Sequence, residues 1–113
     1  MICDRGTMFG YQNLVLDFQG LCELKRAEIP LVVDVSHGLQ RPGSEGTSTG
    51  GRGVDLIPMA RALVGLGIGG LFLECHPKPS EARCDGPCAL ELSKVESLLF
   101  QLSELDALVK SVD

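Results

Sequence analysis

The chain has 113 residues, enough for one ordinary domain or for a piece of a larger one. Its 44% hydrophobic and 22% charged residues are typical of a globular protein and exclude an intrinsically disordered chain. The net charge of −5 argues against a nucleic acid or an anionic membrane as partner, because both attract a basic surface.

The amino terminus and the longest apolar stretch indicate a cytoplasmic protein. Residues 1–10 have neither the basic region nor the long apolar core of a secretory signal. The apolar stretch 62–73 is shorter than the roughly 20 residues that a membrane-spanning helix needs. Five cysteines without C-x-x-C spacing predict reduced, mostly buried thiols rather than a disulfide framework or a structural zinc site.

The first elements alternate between extended and helical segments. Residues 13–18 form a short extended piece, and a short helix is expected from Gln19 to Arg26. Residues 29–36, "IPLVVDVS", are β-branched and apolar on both faces, which is typical of a strand in a parallel sheet. The Gly-, Ser- and Thr-rich segment 37–53 is then expected to be a loop, unusually long for a compact domain.

The segment 54–67 predicts a second helix. Asp55 can cap its start, Pro58 is tolerated in its first turn, and Gly65 or Gly67 ends it. The stretch "GLGIGG" matches a dinucleotide-binding glycine pattern. However, it closes a helix and precedes a strand, so it predicts a tight turn and no nucleotide site.

A strand, a second long loop and a last helix complete the chain. The strand is expected at 70–74 and the loop at 75–92. Ser93 and Glu96 match a capping box at the start of the helix. Its apolar residues recur at helical spacing: Val95, Leu98, Leu99, Leu102, Leu105 and Val109.

This alternation predicts an α/β fold with right-handed β-α-β units around a parallel sheet. Ligands in such folds bind beyond the carboxyl ends of the strands. His37 and Glu74 lie at those ends, as do both long loops. The functional site is therefore expected on this face, and the turn at 65–70 lies at the opposite one.

Four ligand-type residues mark the candidate site: His37, Glu74, His76 and Asp85. Side chains alternate along a strand, so His37 and Glu74 converge if their sides line a barrel interior. Imidazole and carboxylate groups suit a divalent metal ion. Any one of them alone would be more typical of a hydrogen-bonded structural residue, whereas together they favour an acidic or metal-type site.

Arginines supply a possible anion-binding component. The glycines of segment 37–53, with Arg41 and Arg52, could wrap a phosphate through backbone N–H groups and guanidinium groups. A flexible surface loop is the alternative. Arg5 also leaves the end of a strand, and its alternative is an exposed ion pair that contributes little.

Four longer stretches carry a family resemblance: "MICDRGTMFGYQNLVLD", "DVSHGLQRPG" with "STGGRG", "GLFLECHPKP" and "CDGPCALEL". Over essentially all 113 residues the chain resembles 3-deoxy-D-manno-octulosonate 8-phosphate synthase (KDO 8-phosphate synthase). The resemblance implies a (β/α)8 barrel that condenses phosphoenolpyruvate with D-arabinose 5-phosphate and water and releases phosphate, for lipopolysaccharide synthesis. It also implies a homo-oligomer, usually a tetramer.

The resemblance also assigns roles to residues. Arg5 would hold the phosphate of phosphoenolpyruvate. His37, Glu74 and Asp85 are the candidate catalytic residues and match three metal ligands of the metal-dependent members. The candidate substrate-binding residues are Arg5, His37, His76 and Arg52. The cofactor is thus none or a divalent metal ion, and Cys84 directly before the aspartate is more similar to the metal-independent form.

Length separates this chain from such barrels, which take about 250 residues. Residues 1–113 are interpreted as one incomplete domain, the carboxyl-terminal part of the barrel: the end of strand 6, then units 7 and 8. The chain alone is expected to be inactive, because the resemblance places further substrate-binding residues outside it. Two alternatives stay open: a non-catalytic remnant or complementing half that binds phosphate or a partner subunit, and a related heptulosonate phosphate synthase.

Overall fold

A computed structural model of the chain describes residues 1–45 and 48–112. The strands in this part are β1 (Ile2–Asp4), β2 (Leu31–Asp34), β3 (Gln40–Glu45), β4 (Ser48–Gly51), β5 (Gly70–Phe72), β6 (Cys75–His76) and β7 (Leu90–Glu91). The α-helices are α1 (Phe18–Arg26), α2 (Leu56–Gly65) and α3 (Val95–Val112). None of these helices is long and apolar enough to cross a membrane.

A three-stranded parallel sheet in the order β1-β2-β5 lies at the centre of the fold. Ile2 pairs with Leu31 on one side of β2, and Val32 pairs with Gly70 on the other. The connection from β1 to β2 contains α1, and the one from β2 to β5 contains α2. The two consecutive β-α-β units confirm the predicted mixed α/β class.

The core forms around β2, as expected for a strand that is apolar on both faces. Leu31 and Val33 are buried, and α2 packs against both β5 and α3. The core cluster contains Leu21, Leu31, Val33, Val35, Leu39, Leu56, Ala60, Leu63, Val64, Ile68, Leu90, Leu98 and Leu102. Leu99 was predicted to belong to the apolar stripe of α3, but its side chain is exposed.

The three predicted helices are present, with two corrections at their ends. Asp55 does not cap α2 with its side chain and instead pairs with Arg52, at 2.6 Å between Oδ2 and Nε. Ser93 lies in a 3-10 turn before α3, where its hydroxyl donates to Glu91. As expected, α2 ends at Gly65, and the left-handed Gly67 (φ +71°) then turns the chain towards β5.

The loop prediction for segment 37–53 is wrong. After a 3-10 turn at His37–Leu39, β3 and β4 pair as an antiparallel hairpin. Residues 46 and 47 lie outside the described residues. The hairpin is held by backbone pairing, in which Gln40 faces Gly51, and small polar residues with Gly and Pro carry no alternating apolar pattern. Sequence periodicity therefore missed it.

The other predicted segments differ in their limits. Within 13–18, an isolated antiparallel bridge joins Val15 to Thr7. The strand predicted at 70–74 stops at Phe72, so Leu73 and Glu74 follow it. The loop predicted at 75–92 contains β6 and β7, which pair in parallel, and two 3-10 turns.

The cysteines are free, as predicted, but their expected burial is mostly wrong. Only Cys88 among the five is buried, and Cys22 is half-buried. Cys3, Cys75 and Cys84 are exposed. Burial raises the pKa of the Cys88 thiol above its ordinary value, because the thiolate would lose solvation.

Candidate functional site

Three ligand-type side chains converge beyond the carboxyl ends of β2 and β5. Nε2 of His37 lies 3.5 Å from Oε1 of Glu74 and 3.9 Å from Oδ2 of Asp85. One ligand atom from each residue lies within 4.8 Å of the other two. All three side chains are half-buried, so the cluster is shielded from bulk water yet accessible. We call these three residues the acidic triad.

His37 is held by Asp34, the last residue of β2. The backbone N–H of His37 donates to Oδ1 of Asp34 over 2.9 Å, and Nδ1 lies 2.7 Å from Oδ2. Phe72 stacks on the imidazole with ring centroids 6.0 Å apart. Because Asp34 occupies Nδ1, the opposite nitrogen, Nε2, faces Glu74 and Asp85.

Glu74 is held through its backbone. Its N–H donates to the Ser36 hydroxyl over 2.8 Å, and its carbonyl oxygen accepts from the Leu90 N–H at 2.8 Å. Ser36 is completely buried. The two bonds tie the backbone of Glu74 to the turn after β2 and to β7, so the backbone that carries the carboxylate is held in place.

Asp85 comes from the loop between β6 and β7. Its backbone is left-handed (φ +54°), a conformation that costs a non-glycine residue energy and is often found at functional sites. Oδ1 of Asp85 accepts from Nε2 of Gln40 at 2.7 Å. The next residue, Gly86, lies so close to the Pro79 carbonyl oxygen that a Cβ would sit 2.3 Å from it.

The remaining predicted site residues are placed differently. Arg5 follows β1, and its Nη2 donates weakly to Oε1 of Gln40 at 3.4 Å. Gln40 in turn donates to Asp85, so Arg5 is linked to Asp85 through one side chain. His76 is not part of the acidic triad; its Nδ1 contacts the backbone of Lys78. Arg52 pairs with Asp55.

Sequence reasoning missed three residues that hold the acidic triad: Asp34, Ser36 and Gln40. Asp34 lies in a segment that was interpreted as apolar on both faces, so its carboxylate was not singled out. Its spacing of three residues before His37 was the available indication, because a turn after a strand brings such a pair together. Gln40 had none, because its partners are distant in sequence.

The triad offers one imidazole nitrogen and carboxylate oxygens to one small volume. These donors suit a divalent transition metal ion, and an aspartate on the second imidazole nitrogen is the usual support for a histidine ligand. Without an ion, the same groups can bind and orient water. Asp85 also raises the pKa of the neighbouring Cys84 thiol, first through a hydrogen bond and then through its charge.

Comparison with known proteins identifies the family. The family described as "DAHP synthetase I family" matches residues 1–111. Relatives named 2-dehydro-3-deoxyphosphooctonate aldolase, another name for KDO 8-phosphate synthase, are 53% identical in Acinetobacter baylyi and 52% identical in Azotobacter vinelandii, each over 97% of the chain. One from Shewanella sp. (strain ANA-3) is 48% identical over the whole chain. The predicted resemblance is thereby confirmed.

The match is unequal in length. The aligned residues cover 39% of the Acinetobacter and Azotobacter relatives and 40% of the Shewanella relative, so the chain spans about two fifths of their length. The family match, by contrast, runs over nearly all of the chain. The chain belongs to the DAHP synthetase I family.

Proposed function

We propose that this chain is part of a KDO 8-phosphate synthase, which condenses phosphoenolpyruvate with D-arabinose 5-phosphate and water. The observation that carries the proposal is the acidic triad, which forms where two parallel strands end and is linked to Arg5 through the side chain of Gln40. The names of the relatives support the choice of substrates over those of a related heptulosonate synthase.

The proposed complete fold is a (β/α)8 barrel, with β1 as the end of strand 6 and β2 and β5 as strands 7 and 8. Two parallel β-α-β units and the shared length of about two fifths support this assignment. Residues 1–113 would then be one incomplete domain. The complete enzyme would be a homo-oligomer in the cytoplasm, where phosphorylated metabolites are available.

The reaction assigns a task to each group. A carbon–carbon bond forms between phosphoenolpyruvate and the aldehyde, while a carbon–oxygen bond to phosphate breaks and the oxygen of water replaces it. The Arg5 guanidinium matches the phosphate in shape and charge and would stabilise it as it leaves. Glu74 and Asp85 would accept hydrogen bonds from the water, and His37 would orient the aldehyde.

The acidic triad also fits a divalent metal ion, which His37, Glu74 and Asp85 would hold. When bound, such an ion would supply electrostatic stabilisation of an oxygen atom that gains charge. Direct action of the three side chains on water is the alternative. The two cases differ in their sensitivity to a chelator.

The first test measures phosphate release from the two substrates. We expect the 113-residue chain alone to be inactive. We expect activity from a chimera in which the chain replaces its matching 110 residues of the Acinetobacter relative. A catalytically active chain without the rest of the barrel would contradict the first expectation, and an inactive, folded chimera would contradict the proposed function.

Within the chimera, His37→Ala should lower the rate about 10²–10⁴-fold, as loss of a group that acts on the reacting atoms does. Glu81→Gln is the matched control, because Glu81 is an exposed carboxylate that pairs with Lys78. A loss of activity with EDTA that added metal restores would assign the acidic triad to an ion. Full activity in EDTA would assign it to water.

A further inference from the structure

We propose that Asp34 and Gln40 are positioning residues that fix the ligand atoms of two members of the acidic triad, His37 and Asp85. Each triad member is hydrogen-bonded to a residue of the short segment 34–40, in which His37 itself lies. Asp34 holds His37, Ser36 holds Glu74, and Gln40 holds Asp85. One turn after one strand therefore organises a site assembled from three segments.

The contact between Asp34 and His37 determines which imidazole nitrogen is available. Asp34 is only 7% exposed, and both of its carboxylate oxygens are used by His37, one by the backbone N–H and one by Nδ1. A carboxylate only accepts hydrogen bonds, so Nδ1 carries a proton. The Nε2 atom, which faces Glu74 and Asp85, is then the one left with a lone pair for a ligand.

Gln40 determines which carboxylate oxygen of Asp85 is available, as Asp34 determines which nitrogen of His37 is. Its Nε2 donates to Oδ1 of Asp85, so Oδ2 is the oxygen directed at His37. Its Oε1 accepts from Arg5, which fixes the direction of the amide, because an amide nitrogen cannot accept that bond. Gln40 thus links Arg5 to the acidic triad, and it donates to an aspartate whose backbone is left-handed.

The direct test uses the 113-residue chain and reads the protonation of the His37 ring nitrogens by ¹⁵N NMR. The sequence has two histidines, and His76→Gln leaves a single ring to assign. Spectra are taken in alkaline buffer, so that a neutral ring is observed. The native chain should carry its proton on Nδ1.

Asp34→Asn should reverse that state. The asparagine oxygen keeps the backbone N–H of His37, which leaves the amide NH₂ beside Nδ1. An NH₂ group donates, so Nδ1 loses its proton and Nε2 gains it. Asp4→Asn is the matched control, because Asp4 ends the neighbouring strand and its carboxylate accepts only the Gly6 N–H among the contacts described. It should leave the His37 ring unchanged.

A second readout is the affinity for Co²⁺, titrated by its visible absorption; this arm rests on the proposed divalent-ion site. Asp34→Asn should weaken Co²⁺ binding roughly 10–100-fold, as loss of such a supporting partner does. Gln40→Ala should also weaken Co²⁺ binding, while the His37 tautomer stays unchanged. Asp4→Asn should change neither quantity.

The outcomes separate the two proposals. A native His37 without a proton on Nδ1, or an Asp34→Asn ring identical to the native one, would overturn the role of Asp34. Unchanged Co²⁺ affinity in Gln40→Ala, with binding by the native chain intact, would overturn that of Gln40. If the native chain binds no Co²⁺ but shows the expected ring states, the divalent-ion site fails and the role of Asp34 stands.

Discussion

The ends of β1 and β2 begin with the same chemistry and then diverge. Each strand finishes in an aspartate, Asp4 or Asp34, whose carboxylate accepts a backbone N–H at 2.9 Å. After Asp34 the chain stays inside the fold, with Val35 and Ser36 fully buried. After Asp4 it runs out into solvent and exposes the apolar side chain of Phe9.

This difference shows that an aspartate at a strand end does not make a site by itself. The residues that follow β2 are buried, and the β3–β4 hairpin that comes next packs against the loop that carries Asp85. The residues after β1 are mostly exposed in the described part of the chain. The bridge between Thr7 and Val15 closes their loop, and the Leu14 N–H ties it to the Gln40 carbonyl oxygen. Burial of the following residues distinguishes the two.

The largest difference in stability between the two strand ends is expected when the side chain five positions after each aspartate is truncated. Leu39 is 8% exposed and Phe9 is 92% exposed. Leu39→Ala should lower the free energy of unfolding by about 2–5 kcal/mol, because it leaves a cavity in the core. Phe9→Ala should change it by no more than about 0.5 kcal/mol.

Urea unfolding, monitored by circular dichroism, compares the free energy of unfolding of both variants with that of the native chain. The midpoint should fall for Leu39→Ala with an unchanged slope. Equal losses for the two variants would show that the loop after β1 is packed in solution, for instance against another chain, and that the two strand ends do not differ as described.

The central strand and the helices could be predicted from the sequence because their information is local. The apolar run around Val33 and the spacing of Leu98 and Leu102 each indicate one element. The convergence of His37 and Glu74 also followed, since side-chain alternation and the shared end of parallel strands restrict where they lie. Local patterns therefore led to the fold class and to the principal members of the acidic triad.

The supporting contacts were not predictable because they join distant segments through single polar atoms. Gln40 contacts Arg5 and Asp85 across 35 and 45 residues, and the side chain of Ser36 reaches Glu74 across 38. The hairpin was missed for the same reason. Its pairing depends on backbone groups of Gly and Ser residues, which carry no hydrophobic period.

A glycine substitution tests the contact at the β2 end between the β3–β4 hairpin and the loop that carries Asp85. A Cβ on Gly51 would lie 2.1 Å from Sγ of Cys88 and 3.0 Å from the Pro87 backbone, in the loop that carries Asp85. Gly51→Ala should therefore cost about 1–3 kcal/mol, as overpacking of a close contact does. The same unfolding measurement reports it.

Gly10 is the matched glycine in the loop after β1. A Cβ there would lie 2.3 Å from the Asn13 carbonyl oxygen, but this neighbour belongs to the same exposed loop and can move with it. Gly10→Ala should change the stability by no more than about 0.5 kcal/mol. A larger loss of unfolding free energy in Gly10→Ala than in Gly51→Ala would contradict the tighter packing at the β2 end.

The helices that return from the two strand ends offer the smallest and most closely matched test. Glu28 after α1 and Gly67 after α2 occupy the same position, two residues past the helix, with φ of +56° and +71°. Glycine adopts this conformation without strain, whereas glutamate does not. Glu28→Gly should raise the free energy of unfolding by roughly 0.5–1 kcal/mol, and Gly67→Ala should lower it by a similar amount.

Thermal unfolding can resolve these changes, because 1 kcal/mol shifts Tm by about 4–8 °C in a domain of about 60–100 residues. Opposite signs are the expected result. If both variants lost stability, the Glu28 side chain would be making a contact worth more than its backbone strain. That contact would be a local feature of the α1 crossover, because Glu28, unlike Asp85, is not a member of the acidic triad.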